Sequence, residues 1–155
     1  MSVQLFIRLR NPALFLALAA AFPPGVYALG AASIDFSVGN VMAVNAEGKQ
    51  RPLSKGAEIV NGDTISTGDG SRAQVRFTDG AMVSLQPRTE FRIDDYQYSD
   101  KADGEEKGFF SLLKGGLRTI TGLVGRVNRD RYKVTTGVAT IGIRGTGYNA
   151  VLDEA

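Results

Sequence analysis

The residues of this sequence that come nearest to a catalytic pattern are a serine and a lysine three positions apart. Ser111-Leu112-Leu113-Lys114 has the spacing of an acyl-transfer pair in which serine begins a helix and lysine lies one turn later. Two glycines, Gly115 and Gly116, follow at once, and the Ser-Asp-Asn and Lys-Thr-Gly elements that accompany such a pair are missing. The spacing alone therefore does not predict an acyl-transfer enzyme.

The rest of the composition also argues against catalysis. The chain has no histidine and no cysteine, which excludes thiolate nucleophiles, histidine acid–base chemistry and zinc sites of the usual ligand types. Asp69 and Asp79 each precede a glycine, as in ordinary turns, and no aspartate has the spacing of an EF-hand loop. We expect a protein without catalytic residues, cofactor or metal site. A small hydrolase that uses two carboxylates as acid and base is the enzymatic alternative.

The segment Gly142-Ile143-Arg144-Gly145-Thr146-Gly147 has the composition of a phosphate-binding loop. Such a loop should lead into a helix whose N-terminus holds the anion. The residues that follow, Tyr148-Asn149-Ala150-Val151, are typical of a strand instead. The sequence therefore predicts no nucleotide site here.

The longer stretch Val138–Tyr148 predicts a central strand around which the chain is organised. Ala139, Ile141 and Ile143 alternate onto one side of it. Arg144 lies between glycines, which leave room for its guanidinium to reach carbonyls or a carboxylate. We interpret the following residues as a structural motif: Gly142, Arg144, Gly145 and Thr146.

An acidic loop precedes a basic run. The polar loop 98–107 carries Asp100, Asp103, Glu105 and Glu106, whereas seven cations and one acid, Asp130, follow between residues 107 and 133. Both runs can be solvated surface or can neutralise each other across the fold. The functional interpretation is a polarised face that docks a charged partner. Its contact residues are then predicted to be Lys114, Arg118, Arg126, Arg129 and Arg131.

Residues 1–30 have the pattern of a secretory signal peptide. Arg8 and Arg10 form a positive region, an apolar run from Pro12 to Phe22 follows, and small residues allow cleavage after Ala28 or Gly30. The apolar run is shorter than the roughly 20 residues that span a bilayer, although an uncleaved anchor is the alternative. Without those two arginines the 18 basic residues become 16, equal to the 16 acidic ones, so the charge does not indicate nucleic-acid binding.

From Ile34 onward the apolar pattern has period two, and turn residues recur every 8–12 positions, as in an all-β domain. Ile34, Phe36 and Val38 alternate with polar residues and should share one face. Asn61-Gly62 predicts a type I′ hairpin, and Asp79-Gly80 predicts a second hairpin with apolar residues on its core side. The segment from Leu117 to Val127 is compatible with a strand that turns at Gly122 or with a helical turn, and Gly115-Gly116 suggests a bulge. No long amphipathic helix is visible.

Residues 58–151 resemble the domain of the FecR family. The first motif block is Gly62-Asp63-Thr64-Ile65-Ser66-Thr67-Gly68, Ser71, Ala73, Val75, Phe77, Asp79-Gly80, Leu85, Pro87, Thr89 and Phe91-Arg92-Ile93. The second is Leu113-Lys114-Gly115-Gly116-Leu117-Arg118, Thr121-Gly122, Ala139-Thr140-Ile141-Gly142-Ile143-Arg144-Gly145-Thr146 and Tyr148.

The resemblance implies an all-β fold of short stacked strands, as a roll or solenoid-like sheet, with a β-sandwich as the alternative. It also implies a non-catalytic envelope domain, since regulators of this family receive a signal from a TonB-dependent outer-membrane receptor. Here a signal peptide stands where such regulators carry a cytoplasmic segment. We therefore expect a signal peptide over residues 1–30 and a FecR-type domain over residues 31–155, periplasmic, secreted or on the cell surface. It would bind a protein or polysaccharide of the envelope, with an outer-membrane receptor as one candidate, or serve as a structural or adhesive module without a signalling role.

Overall fold

The computed structural model describes residues 30–101, 104–143 and 145–152, and these residues are mostly β-strand in two sheets. Nearly all of the predicted signal peptide lies outside the described residues, as does Arg144. Among the residues described, no helix has the length and apolarity that a membrane crossing requires.

The first sheet has six strands, and every neighbouring pair in it is antiparallel. In spatial order, its strands are β13 (Gly147–Val151), β10 (Gly116–Ile120), β7 (Met82–Leu85), β6 (Arg72–Phe77), β1 (Ala32–Val38) and β4 (Glu58–Ile59).

The second sheet has seven strands and one parallel pair, formed by its strands β9 and β11. In spatial order, its strands are β12 (Thr140–Gly142), β11 (Tyr132–Thr135), β9 (Lys107–Lys114), β8 (Glu90–Gln97), β5 (Thr64–Thr67), β2 (Val41–Val44) and β3 (Gln50–Pro52). Helix α1 (Leu123–Val127) and a 3-10 turn (Arg129–Arg131) connect β10 to β11.

The two sheets share one hydrophobic core. Phe77 of the six-stranded sheet lies with its ring centroid 5.0 Å from that of Tyr96 and 5.2 Å from that of Phe110, both in the seven-stranded sheet. Phe91 and Tyr132 extend the cluster on either side of Phe110, at 5.6 and 5.3 Å. Offset and edge-on ring pairs of this kind add to the free energy gained by burying their surface, so these aromatic residues hold the two inner faces together.

The predicted hairpin at Asp79-Gly80 is confirmed. β6 and β7 pair antiparallel, with Val75 opposite Val83, and the residues on their inner side are buried. Asp-Gly supplies the turn and strict alternation supplies the buried face, so neighbours in the sequence suffice to specify this element.

The predicted hairpin at Asn61-Gly62 is wrong. β4 before it belongs to the six-stranded sheet and β5 after it to the seven-stranded sheet. Gly62 has a positive φ of 88° and Asn61 does not, whereas a type I′ turn needs positive φ at both. The side-chain amide of Asn61 instead donates to the carbonyl of Tyr96 at 2.9 Å and accepts its N–H at 3.0 Å. Because Asn61 pairs with β8 in this way, the turn carries the chain from one sheet to the other.

The segment from Leu117 to Val127 contains both elements that the sequence left open. β10 ends at Ile120 and α1 begins at Leu123. The predicted bulge at Gly115-Gly116 is instead a corner, since Gly115 alone separates β9 in one sheet from β10 in the other.

The prediction of a central strand over Val138–Tyr148 is also wrong. β12 covers only Thr140–Gly142 and is an edge strand, and β13 is an edge strand of the other sheet. Of the three residues expected on a buried side, Ile143 is buried, Ile141 is half-buried and Ala139 is exposed. The two strands of this stretch therefore lie at the edges of different sheets. Their positions are determined by pairing with strands distant in the sequence and not by the local alternation of apolar residues.

Candidate functional site

The five cations predicted to contact a partner do not form one patch. Arg118 lies on β10, Arg126 lies on α1, and Arg129 and Arg131 lie in the 3-10 turn. Lys114 ends β9, opposite Glu90, whereas the 3-10 turn lies beside the start of that strand, since Tyr132 pairs with Gly108. Six residues of β-strand separate Gly108 from Lys114, roughly 20 Å. The basic run is thus divided over several surfaces.

Part of the basic run binds the acidic loop. Arg131 donates to the carbonyl of Gly104 at 2.9 Å and lies 3.6 Å from a carboxylate oxygen of Glu105. Asn128 donates to the carbonyls of Gly104 and Glu106, both at 3.2 Å. The structure therefore supports mutual neutralisation at this point, one of the interpretations that the sequence left open.

Asp63, a residue of the first motif block, has a structural role in the fold. Its carboxylate is fully buried and receives two hydrogen bonds from Arg51, at 3.0 and 2.5 Å. It also accepts the N–H of Val60 at 3.0 Å, and Arg51 donates to the carbonyl of Glu58. This carboxylate raises the pKa of Arg51 through its hydrogen bonds. Asp63 thus fixes the crossing between the sheets and has no accessible oxygen for a ligand.

Asp79 has a similar structural role at the other hairpin. Its carboxylate accepts the backbone N–H groups of Ala81 and Val124, both at 3.0 Å, and its carbonyl accepts that of Leu123. Its own N–H donates to the hydroxyl of Tyr96 at 2.9 Å. Because unpaired N–H groups at the start of a helix need acceptors, Asp79 holds the start of α1 against the β6–β7 turn.

The residues of the predicted structural motif near the end of the chain differ in exposure, backbone conformation and hydrogen bonding. Gly142 is exposed, and a Cβ there would meet no atom of the described residues within 4 Å. Gly145 has a φ of +113°, a conformation that favours glycine, and the carbonyl of Thr146 accepts the N–H of Thr121 at 2.9 Å.

The geometry of Ser111 does not fit serine–lysine chemistry. Ser111 lies within β9 and not at a helix N-terminus. Its hydroxyl donates to Asp94 at 2.6 Å, and Arg92 donates to the same carboxylate at 2.6 Å. Within the described part of the chain, no group of three carboxylate, histidine or cysteine side chains is placed to hold a metal ion.

The surface with the strongest binding features is the outer side of the six-stranded sheet. A β-bulge in β1 creates it, since Ile34 pairs with Val75 but Phe36 pairs with the next residue, Gln74. One extra residue reverses the side to which a strand's side chains point. Ile34 is consequently buried, whereas Phe36 is 51% exposed. The prediction that Ile34 and Phe36 share one face is therefore wrong, and Phe36 lies on the outer surface.

Pairing aligns the outer side chains in one row across five strands. In order from β1 to β13, this row is Phe36, Gln74, Ser84, Arg118 and Asn149. Its length is about 19 Å, given a strand spacing of about 4.8 Å. The row continues into an open groove of about 500 Å³, which we name the outer groove. The outer groove is lined by Phe36, Arg72, Ala73, Gln74, Ser84, Leu85, Gln86, Pro87 and Arg118.

Charge distinguishes the outer groove from the rest of the sheets. No acidic residue of the described part of the chain lines it. Within the described residues, neither Arg72 nor Arg118 makes an ion pair, whereas the other strand arginines Arg51, Arg76 and Arg92 each pair with an aspartate. The outer groove thus presents two positive charges with free donors beside an exposed aromatic ring.

Of these residues, the sequence predicts only Arg118 as a contact. Arg72, Gln74 and Arg76 alternate with buried residues, a pattern typical of a solvated face, and nothing local marks that face as a binding surface. One sequence feature that could have indicated the outer groove is the absence of acidic residues at the outward positions of β6 and β7, together with Gln86 just after β7.

Comparison with known proteins identifies the family. A family model described as FecR protein matches residues 63–155, more than half of the chain and nearly the region that carries the motif blocks. Comparison with curated proteins gives no match, and comparison with solved structures gives none either. On the strength of the family match, the chain belongs to the FecR family.

Proposed function

We propose that this chain is an exported, non-catalytic FecR-type domain that binds a protein or polymer of the cell envelope in cell-surface signalling or assembly. The FecR family, whose model matches this chain, is a regulatory and signalling family, which favours a binding role. Export rests on the signal-peptide pattern of residues 1–30, which favours the periplasm or the cell surface. A role in signalling makes an outer-membrane receptor a candidate partner.

One observation carries the choice of binding surface: counting only residues 30–101, 104–143 and 145–152, the outer groove holds two unpaired arginines and no acidic residue. The buried motif carboxylates of Asp63 and Asp79 have their hydrogen bonds inside the fold, so they hold the sheets and leave binding to the surface. Of the five cations proposed as contacts, Arg118 lies in the outer groove. The other four, Lys114, Arg126, Arg129 and Arg131, would then contribute less than Arg118 to contact with the partner.

A structural or adhesive module without a signalling role is the second candidate. The sheets favour it in one respect, since β12 and β13 are edge strands that can pair with other chains. For the architecture, we propose the β-sandwich alternative over a roll or solenoid-like sheet, because two sheets share a single core.

Site-specific photo-crosslinking in the native host tests this proposal. The crosslinking residue replaces Ser84 in the outer groove and, as a control, the exposed Lys133 on β11 of the other sheet. We expect position 84 of the full chain to capture an envelope component that position 133 does not. Capture of a receptor or an anti-sigma regulator would indicate signalling, and capture of glycan-linked or self-associated material would indicate the structural module. Equal capture at both positions, or none, would contradict the proposed surface.

A further inference from the structure

We propose that the outer groove binds a single chain of an acidic polysaccharide, one that carries carboxylates on its sugar units. This inference rests on the proposed function and specifies the chemical class of the envelope component.

The charge of the ligand follows from the two arginines. Among the residues that the structure describes, Arg72 and Arg118 line the same groove without an ion pair, and no carboxylate lines it. A guanidinium presents five donors in a planar fork that matches a carboxylate and forms two parallel hydrogen bonds with it. The outer groove therefore complements an anion and repels a cation.

The spacing of the arginines favours a repeating polymer over a single small anion. Arg118 is opposite Ser84, Ser84 is opposite Gln74, and Arg72 lies two residues before Gln74. Two strand spacings and two residues of rise place the Cα atoms of the two arginines roughly 12 Å apart. That separation suits carboxylates on alternate units of an extended sugar chain.

The remaining groups of the surface match hydroxyls and the C–H faces of sugar rings. Phe36 is 51% exposed, and its ring can pack flat against a pyranose. Within the described residues, the side chains of Ser84, Gln86 and Asn149 make no hydrogen bond, and Gln74 makes only a weak one, to the sulfur of Met82 at 3.6 Å. Amide and hydroxyl groups both donate and accept, as sugar hydroxyls do.

The position of the outer groove argues against an acidic peptide. A peptide in extended form gains affinity by pairing its backbone with the open edge of a sheet. Most of the groove lies instead across β6, β7 and β10, which have strand neighbours on both sides, whereas β1 borders it at Phe36 and pairs with β4 only at Ala32 and Ser33. Over those three strands the surface offers side chains and no free strand edge, an arrangement that suits a ligand recognised through hydroxyls and carboxylates.

Calorimetric titration of the full chain, after processing by its host, tests the inference with three probes. These are oligosaccharides of polygalacturonic acid, neutral dextran oligosaccharides of equal length, and polyglutamate. We expect binding to the uronate only, and weaker binding as salt is raised. R72Q and R118Q should each weaken that binding about tenfold, because each removes a charge-assisted pair. K133Q, which removes an exposed lysine of β11 in the other sheet, should leave it unchanged.

Three results would overturn the inference. Equal or tighter binding of polyglutamate would show that the occupant is an acidic protein. Uronate binding that K133Q weakens as much as R118Q would place the ligand elsewhere. If no uronate binds while position 84 still crosslinks an envelope protein, the polysaccharide is wrong and the proposed function stands. Thermal unfolding of each variant confirms that a lost signal reflects binding and not misfolding.

Discussion

Replacement of Gly122 by alanine tests the structural role of Asp79 most directly. Gly122 has φ −83° and ψ −163°, angles that alanine adopts without strain. A Cβ at this position would nevertheless overlap the carboxylate of Asp79 and lie 2.5 Å from the backbone nitrogen of Ala81. The substitution therefore displaces the carboxylate sterically while it leaves the backbone conformation acceptable.

The expected loss of stability follows from the hydrogen bonds of that carboxylate. Asp79 is 4% exposed and accepts the N–H groups of Ala81 and Val124. Hydrogen bonds to a charged group each contribute about 1.5–3 kcal/mol, and displacement breaks both. We expect a loss of about 3–5 kcal/mol, a large share of the 5–15 kcal/mol that is typical of a whole domain.

Urea and thermal unfolding of the full chain measure this loss. A decrease of 3–5 kcal/mol lowers Tm by roughly 10–20 °C for a domain of this size. Gly142→Ala is the matched control, since nothing lies within 4 Å of its Cβ position and its φ is not positive. That control should be neutral or stabilising, by up to about 1 kcal/mol. A loss below about 1 kcal/mol in Gly122→Ala would refute the role of Asp79.

Three further predictions concern stability. Asp63→Ala should destabilise the domain by about 3 kcal/mol in urea unfolding. This is the low end of the loss expected on breaking a buried ion pair, because Arg51 is 38% exposed. An unchanged urea midpoint would contradict the structural role of Asp63. Burial raises the pKa of Tyr96 above its ordinary value. The contribution of Tyr96 to the free energy of unfolding should therefore be constant below about pH 10, the pKa of the unfolded state, and should fall as the pH rises further. Urea midpoints and tyrosinate absorbance between pH 8 and 12 check this, and a flat midpoint would count against it. Finally, Ile34→Ala should lower the free energy of unfolding by about 2–4 kcal/mol and Phe36→Ala by less than about 1 kcal/mol, whereas equal losses would mean that the bulge in β1 is absent.

The elements that the sequence predicted correctly are those whose partners lie close by. The β6–β7 hairpin follows from alternation around Asp79-Gly80, because a short turn forces its two flanking strands to pair. The same reasoning fails at Asn61-Gly62, where the turn residues are equally favourable but the flanking strands join different sheets. A period-two pattern identifies a strand and does not identify its neighbours.

The candidate site was less predictable than the fold, because it depends on register. The pattern Ile34, Phe36, Val38 indicates a shared face, and only the pairing with β6 reveals the bulge that turns Phe36 outward. The convergence of Arg72 and Arg118 likewise depends on β7 lying between their strands. Neither fact can be read from spacing along the chain.

Five of the nine residues that line the outer groove lie outside the family's motif blocks, namely Phe36, Arg72, Gln74, Ser84 and Gln86. On β6, the motif positions Ala73, Val75 and Phe77 point inward and are buried, whereas Arg72 and Gln74 point outward and lie outside the motif. The motif residues of β6 therefore hold the core, whereas its outward residues are free of that packing constraint. Of the groove's charged residues, Arg118 alone belongs to the motif blocks. If the outer groove is the binding surface, R118Q, at a motif position, and R72Q, outside the motif blocks, should both weaken binding.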